Sequence, residues 1–104
     1  MLAGEFEWRS GRVTLWDLDR LDPAVSIEDQ RKDLTEDLAQ VEYAYDVTLD
    51  VGWYGDAFIV VVVYASDWDR PALRRRAESP STLADEIRAA ITFAEELSSS
   101  IGKG

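Results

Sequence analysis

Carboxylates carry most of the chemistry that this sequence could perform. Asp46, Thr48 and Asp50 stand at alternate positions, and Tyr54 follows four residues later. Alternate side chains of an extended chain project from one face, and two carboxylates there can act as acid and base if burial separates their pKa values. A solvent-facing strand shows the same pattern, and the sequence indicates no pocket around it. We therefore expect a protein without catalytic activity.

Acidic pairs at alternate positions could also bind a hard cation. Asp17 with Asp19, and Asp67 with Asp69, offer the oxygen ligands that calcium and magnesium prefer. Neither pair has the glycine and the distant glutamate of an EF-hand loop. Histidine and cysteine are absent, which removes imidazole and thiolate ligands, disulfides and the commonest general base. We expect neither a metal nor another cofactor.

The charge of the chain is negative and unevenly distributed. The net charge is -10, and residues 1–69 hold 16 acidic and 5 basic residues, while residues 70–104 hold 5 acidic and 6 basic ones. Such a surface repels nucleic acid and anionic lipid, so we expect neither as a partner. The same potential would accelerate encounter with a basic protein.

Length and composition predict one globular domain. The chain has 104 residues, of which 46% are hydrophobic, enough for a single core. We expect residues 1–104 to form this domain, with loose termini at 1–4 and 102–104. No apolar run reaches the roughly 18 residues of a membrane span, and the first five residues do not resemble a secretion signal. The expected location is the cytoplasm.

The first half of the chain predicts a hairpin and a helix. Residues 5–9 and 12–16 alternate around Ser10-Gly11, which favours a hairpin with Trp16 on its outer face. A helix is predicted over residues 27–43, because Ser26 can cap it and apolar residues follow at helical spacing. Its outer side would carry Asp29, Asp33 and Asp37 four residues apart. This row is either a solvated face or a negative ridge for a partner.

The second half predicts a second hairpin, from residues 46–54 and 57–65 around Gly55-Asp56. That turn sets the register of the two strands and predicts four cross-strand pairs on one face: Trp53 with Phe58, Val51 with Val60, Leu49 with Val62, and Val47 with Tyr64. The strand AFIVVVVYA is apolar on both faces. It is therefore either central and covered on both sides, or it presents an apolar patch bordered by Asp50, Tyr54 and residues 67–69.

Residues 73–77 are either a short edge strand or an extended link, and their arginines either neutralise carboxylates or guard a sheet edge. Ser79-Pro80 then begins a helix that should reach about Ser99. The predicted class is α+β, a two-layer antiparallel sheet of four to five strands with two amphipathic helices on one face. The predicted order is β-β-α-β-β-(β)-α.

The C-terminal half resembles the immunity proteins with which bacteria block their own polymorphic or contact-dependent toxins. The resemblance rests on the hairpin 47–64 with Gly52-Trp53-Tyr54, the segment 67–71 and the helix 79–97, in a small acidic chain without cysteine or histidine. It implies an acidic surface that occludes a basic, often nuclease, active site. The same charge would also suit an inhibitor that mimics DNA.

Our leading hypothesis is an acidic protein-binding module that inhibits a basic protein such as a toxin or nuclease. Trp68 lies among carboxylates, as in an interface anchor that acids steer and surround. The expected partner-binding residues are Asp29, Asp33, Glu36, Asp37, Asp50, Tyr54, Asp67, Trp68 and Asp69. One alternative is a homodimer joined through Ile59, Val61 and Val63. Another is a small-molecule enzyme or binder with a cleft near Asp50 and Tyr54.

Overall fold

Five strands form one antiparallel sheet in the computed structural model, which describes residues 1–103 apart from the side chain of Asp33. The strands follow chain order and are β1 (Arg12–Trp16), β2 (Ala39–Tyr43), β3 (Val47–Trp53), β4 (Phe58–Tyr64) and β5 (Leu73–Ala77). The helices are α1 (Ile27–Gln30) and α2 (Pro80–Lys103), with 3₁₀ turns at Ala3–Glu5 and Arg31–Asp33. The α+β class and the antiparallel sheet are therefore confirmed.

The hairpin of β3 and β4 has the predicted register. The N–H of Tyr54 donates to the carbonyl of Ala57 at 3.0 Å, and Gly55 supplies a φ of +84° in the turn between them. The four predicted pairs all lie opposite each other. Because side chains alternate across a strand, these residues share one face, and Asp50 and Val61 point to the other.

The shared face is covered by α2. Ser79 caps the helix by accepting the N–H of Thr82 at 3.2 Å, and Pro80 takes the first position. The helix contacts β2, β3, β4 and β5. Its buried side chains are Pro80, Leu83, Ile87, Ala90, Ile91, Ala94 and Ser98. No helix in the described chain combines the length and hydrophobicity that a bilayer span requires.

The predicted helix over residues 27–43 is wrong beyond its first turn. The α-helix ends at Gln30, and Ala39–Tyr43 is instead the strand β2, paired with β1 and with β3. Ala39, Val41 and Tyr43 alternate with more exposed residues, as in a strand, and of these only Val41 also fits the helical spacing. Hydrogen bonds from both neighbours stabilise this strand, whereas the helix would repeat like charges four residues apart. The second amphipathic helix and its acidic ridge are therefore not formed.

The predicted N-terminal hairpin is also wrong. Its first arm, residues 5–9, forms no strand and overlaps the 3₁₀ turn Ala3–Glu5 only at Glu5, and β1 pairs with β2. A bulge in β1 places Val13 opposite Val41 but Leu15 opposite Gln40. The extra residue reverses the alternation, so Trp16 joins the helix-covered face and Leu15 leaves it.

Trp16 completes an aromatic cluster with Phe6 and Trp8, whose ring centroids lie 5.3 to 5.9 Å apart. The indole N–H of Trp16 donates to the carbonyl of Met1 at 3.1 Å, and the terminal amine of Met1 donates to the carbonyl of Leu21 at 2.7 Å. Met1 is only 8% exposed, although we expected a loose terminus there. The aromatic rings therefore hold the first residues of the chain against the core.

Gly52 lets the segment 35–38 cross the end of β3. The N–H of Leu38 donates to the carbonyl of Val51, and that of Trp53 donates to the carbonyl of Thr35, both at 2.9 Å. A Cβ on Gly52 would lie 2.1 Å from the carbonyl oxygen of Glu36. A glycine is required here because the two backbones approach so closely.

We expect Gly52→Ala to destabilise the protein by about 1–3 kcal/mol, since the new methyl group must displace the backbone of Glu36. Urea unfolding monitored by tryptophan fluorescence measures this loss. Gly4→Ala is the matched control, because a Cβ there meets no atom within 4 Å, and it should change stability by less than about 0.5 kcal/mol. Equal stability of the two variants would contradict the crossing of the backbones.

Candidate functional site

A groove of about 750 Å³ lies on the sheet face opposite α2, and we call it the open-face groove. Its floor consists of strand residues that the register assigns to this face, namely Gln40, Asp50, Ile59, Val61, Arg74 and Arg76. Its rim consists of Asp37, Tyr54, Asp56, Trp68, Asp69 and Pro71. A cleft beside Asp50 and Tyr54, which the small-molecule alternative requires, is therefore present.

The strand that is apolar on both faces forms the centre of this floor. β4 lies between β3 and β5, with α2 over one of its faces. On the other face Val63 is 1% exposed, while Ile59 and Val61 are half-buried and line the groove. Apolar surface is therefore accessible along the middle of the groove, between the acidic residue of β3 and the arginines of β5.

Asp50 is a buried carboxylate in the floor. It is 6% exposed, and the side-chain amide of Gln40 donates to its Oδ2 at 2.9 Å. It makes no ion pair with any residue of the described chain. Burial raises its pKa above the usual value, the hydrogen bond from Gln40 opposes this rise, and the charge of Asp37 adds to it. Its negative charge is therefore compensated only by a neutral amide.

Tyr54 marks the acidic end of the groove. Its side chain is 51% exposed. Its pKa is raised by partial burial first and then by the charges of Asp50, Glu36 and Asp37. Three carboxylates thus act on one phenol, so negative charge lies beside an accessible aromatic ring at this end of the groove.

Trp68 stands on the rim after a turn of unusual backbone geometry. Ala65 and Ser66 have φ values of 55° and 60°, in the left-handed region that favours glycine. The N–H of Asp67 donates to the carbonyl of Tyr64 at 3.1 Å, which closes the turn. The indole that follows is 51% exposed and lines the groove. The turn therefore holds an exposed tryptophan beside the apolar floor at a cost in backbone strain.

The arginines of residues 74–76 lie on the edge strand β5. Of the two predicted conformations, an edge strand or an extended link, the segment therefore adopts the strand. Arg75 points to the helix side and pairs with Glu86 of α2. Arg76 points to the groove and pairs with Asp56 and Glu78, each at 3.2 Å. Arg74 also lines the groove and makes no ion pair with a described residue.

Five of the nine predicted partner-binding residues line the groove: Asp37, Asp50, Tyr54, Trp68 and Asp69. Glu36 lies close enough to act on the pKa of Tyr54 but does not line the groove. Asp29 and Asp67 are exposed outside it, and the side chain of Asp33 lies outside the described part of the chain. The structure thus brings together residues from the segment 35–38, from β3 and from the turn after β4.

Sequence reasoning did not assign Gln40, Arg74 or Arg76 to this site. The predicted helix over residues 27–43 includes Gln40, and the prediction for residues 73–77 is either an edge strand or a link. Extending the hairpin register to a fifth strand would have found the arginines, because residues at alternate positions share a face. Within the described chain no group of three or more carboxylates could hold a metal. The groove offers recognition by charge, by aromatic rings and by apolar contact.

We expect Asp50→Asn to stabilise the protein at neutral pH. The folded-state pKa lies above the unfolded one, so the ionised group lowers stability above the folded pKa and this penalty vanishes below the unfolded pKa. The gain should therefore shrink as the pH falls through the raised folded-state pKa toward about 4, and it should be nearly absent below that pH. Urea unfolding across this range measures it, with Asp19→Asn as the control for net charge. A variant less stable than the parent at neutral pH would contradict the penalty.

We expect Ala65→Gly to stabilise the protein by up to about 1 kcal/mol, because glycine adopts the left-handed conformation without the penalty of a Cβ. Ala89→Gly makes the same chemical change at an exposed position of α2 and should destabilise the protein by about 1 kcal/mol. Thermal unfolding of both variants measures the two effects. Effects of the same sign would contradict backbone strain at Ala65.

The resemblance to immunity proteins stays a prediction. Comparison of the chain with family models, curated proteins and solved structures gave no match. The geometry of the open-face groove and the charge around it are therefore the features that bear on function.

Proposed function

We propose that this protein is a non-catalytic, acidic protein-binding module that docks a basic protein in the open-face groove, as an immunity-type inhibitor of a toxin or nuclease would. One observation carries the proposal: the half-exposed Trp68 and the buried, unpaired Asp50 line the same groove. The first is an unused apolar anchor, and the second is an uncompensated charge. A basic partner would satisfy both.

The apolar part of the groove suits a protein interface. Trp68 is 51% exposed at the rim, and the half-buried Ile59 and Val61 form the floor beside it. Tryptophan supplies much of the binding energy in many interfaces when a partner excludes water from it. A partner side chain seated on this floor would bury the indole and both aliphatic side chains together.

The charge of the groove suits a basic partner. Four carboxylates line it, those of Asp37, Asp50, Asp56 and Asp69, against two guanidinium groups. The whole chain, groove included, has a net charge of -10, which would steer a basic protein toward it and oppose nucleic acid or anionic lipid. Under this proposal the protein acts in the cytoplasm, where a producing cell needs protection from its own toxin.

The acidic residues remain available for docking. Among described residues 1–69, the ion pairs involve only the carboxylates of Glu28, Glu42 and Asp56. Arg75, the most central of the three arginines of β5, pairs with Glu86 on the opposite side of the sheet. Arg76 pairs with one groove carboxylate, that of Asp56. The other three, Asp37, Asp50 and Asp69, make no ion pair with a described residue, which supports a negative surface directed outward.

A second copy of the chain is the second candidate, and the register favours it specifically. Asp50, Val61 and Arg74 lie in one row across the sheet. A two-fold axis along β4 would place Asp50 of each copy over Arg74 of the other and bring the two Val61 side chains together. The net charge of each chain opposes this association, so a basic partner remains our proposal.

The proposal predicts that Trp68→Ala weakens binding of the partner by at least about tenfold, because the indole is the largest accessible anchor. The partner is retained on the immobilised protein from its source lysate, purified, and titrated by calorimetry. It should carry net positive charge, and its affinity should fall as salt is raised. Tyr45→Ala is the control, since Tyr45 is 57% exposed but does not line the groove.

Three outcomes would contradict the proposal. One is a partner whose affinity is indifferent to salt, and another is an equal loss for Trp68→Ala and Tyr45→Ala. The third is a dimer of the chain alone that Val61→Glu dissociates in sedimentation velocity, while Val25→Glu, at an exposed valine outside the groove, does not. That result would assign the groove to a second copy.

A further inference from the structure

The floor of the groove contains an acidic residue and a basic residue in one row across the strands. Asp50 of β3 lies opposite Val61 of β4, which lies opposite Arg74 of β5. Neighbouring strands are about 4.8 Å apart, so the Cα atoms of the acid and the base are about 10 Å apart on the same face. Val61 stands between them, and the two charged groups make no ion pair with each other.

The acid of this row needs a cation. Asp50 is 6% exposed and accepts one hydrogen bond, from the neutral amide of Gln40. A carboxylate can accept about four hydrogen bonds, and a carboxylate this buried is ordinarily paired with a positive charge. Because Asp50 lines the groove, a basic side chain that enters the groove can supply that charge.

The base of the row is the arginine of β5 that the fold leaves available. Arg75 is bound to Glu86 on the other side of the sheet, and Arg76 is bound to Asp56 and Glu78. Within the described residues Arg74 has no acidic partner, and its exposed side chain lines the groove. Its guanidinium can therefore receive a carboxylate from outside the chain.

We infer that the open-face groove recognises a dipolar segment of its partner, with a basic side chain at Asp50 and an acidic side chain at Arg74, whose aliphatic stems pass over Val61. This inference rests on the proposed function and adds the chemistry of the contact. Opposite charges at the two ends of the row fix the orientation of the segment, because reversing it would bring like charges together at both ends.

The spacing of the row fits a polypeptide in extended conformation. Side chains two residues apart in a strand share a face and start about 7 Å apart, and long basic and acidic side chains span the remaining distance to about 10 Å. A free amino acid carries its charges too close together to reach both groups. A purely basic segment would place a positive charge at Arg74, which disfavours it.

Capped pentapeptides test this inference without the natural partner. The probes are Gly-Lys-Val-Glu-Gly and its three variants in which glutamine replaces the lysine, the glutamate or both. They are titrated at low ionic strength into ¹⁵N-labelled protein, and amide shifts give each Kd. We expect Lys-Val-Glu to bind most tightly, with each glutamine replacement weakening binding by about fivefold, as for accessible charge pairs. The shifts should centre on Asp50, Val61 and Arg74.

Variants of the protein assign each charge to its contact. Asp50→Asn should abolish the advantage of lysine over glutamine and keep that of glutamate, and Arg74→Gln should do the reverse. Asp19→Asn changes the net charge as Asp50→Asn does, and Arg20→Gln changes it as Arg74→Gln does, but both lie at exposed positions outside the open-face groove. These two controls should preserve both preferences.

The outcomes separate this inference from the proposed function. If the lysine peptides bind equally with or without glutamate, and Arg74→Gln has no effect, the dipolar contact is wrong while docking of a basic partner stands. If no lysine peptide binds more tightly than the uncharged peptide, both are wrong. Binding of Lys-Val-Glu that persists in Asp50→Asn and Arg74→Gln would also overturn the dipolar contact.

Discussion

The register between β3 and β4 is the constraint on which the rest of the molecule depends. Side chains alternate with a period of two, so a slip of one residue would exchange the two faces of the hairpin. The observed pairing puts Leu49, Val51, Val60 and Val62 beneath α2, where each is fully buried. Asp50 and Val61 are thereby forced onto the opposite face. The same interaction that forms the core also forms the floor of the groove.

Three features that cost stability lie around this groove, although Arg9, Tyr45 and Asp46 also have positive φ values outside it. A buried carboxylate lies in its floor, left-handed Ala65 and Ser66 precede its exposed tryptophan, and a backbone crossing at Gly52 borders its acidic end. The face beneath α2 has well-satisfied, apolar packing by comparison. Unfavourable local features are retained where a site needs them, so their presence here supports the proposal that the groove is the docking surface.

Prediction succeeded where one local pattern had one solution. Strict alternation around Gly55 predicted the observed hairpin, and Ser79-Pro80 followed by a long apolar stripe predicted α2, although this helix runs to Lys103 and does not end near Ser99. Residues 39–43 allowed two solutions, because Val41 fits a helical stripe as well as a strand. Pairing with both neighbouring strands decided for the strand. The predicted helical face shared by the acids of residues 29–37 is therefore not formed, although Asp37 lines the groove.

The sequence by itself determined the excess of carboxylates, the pairing of β3 with β4 and the long C-terminal helix. It also indicated Trp68, after β4, as a tryptophan that could bind a partner. These follow from composition and from contacts close along the chain. Only the tertiary structure decided that β5 closes the row from Asp50 through Val61 to Arg74, that a bulge turns Trp16 inward, and that segment 35–38 borders the groove. Such placements depend on hydrogen bonds and steric contacts between residues far apart in sequence, which local periodicity does not encode.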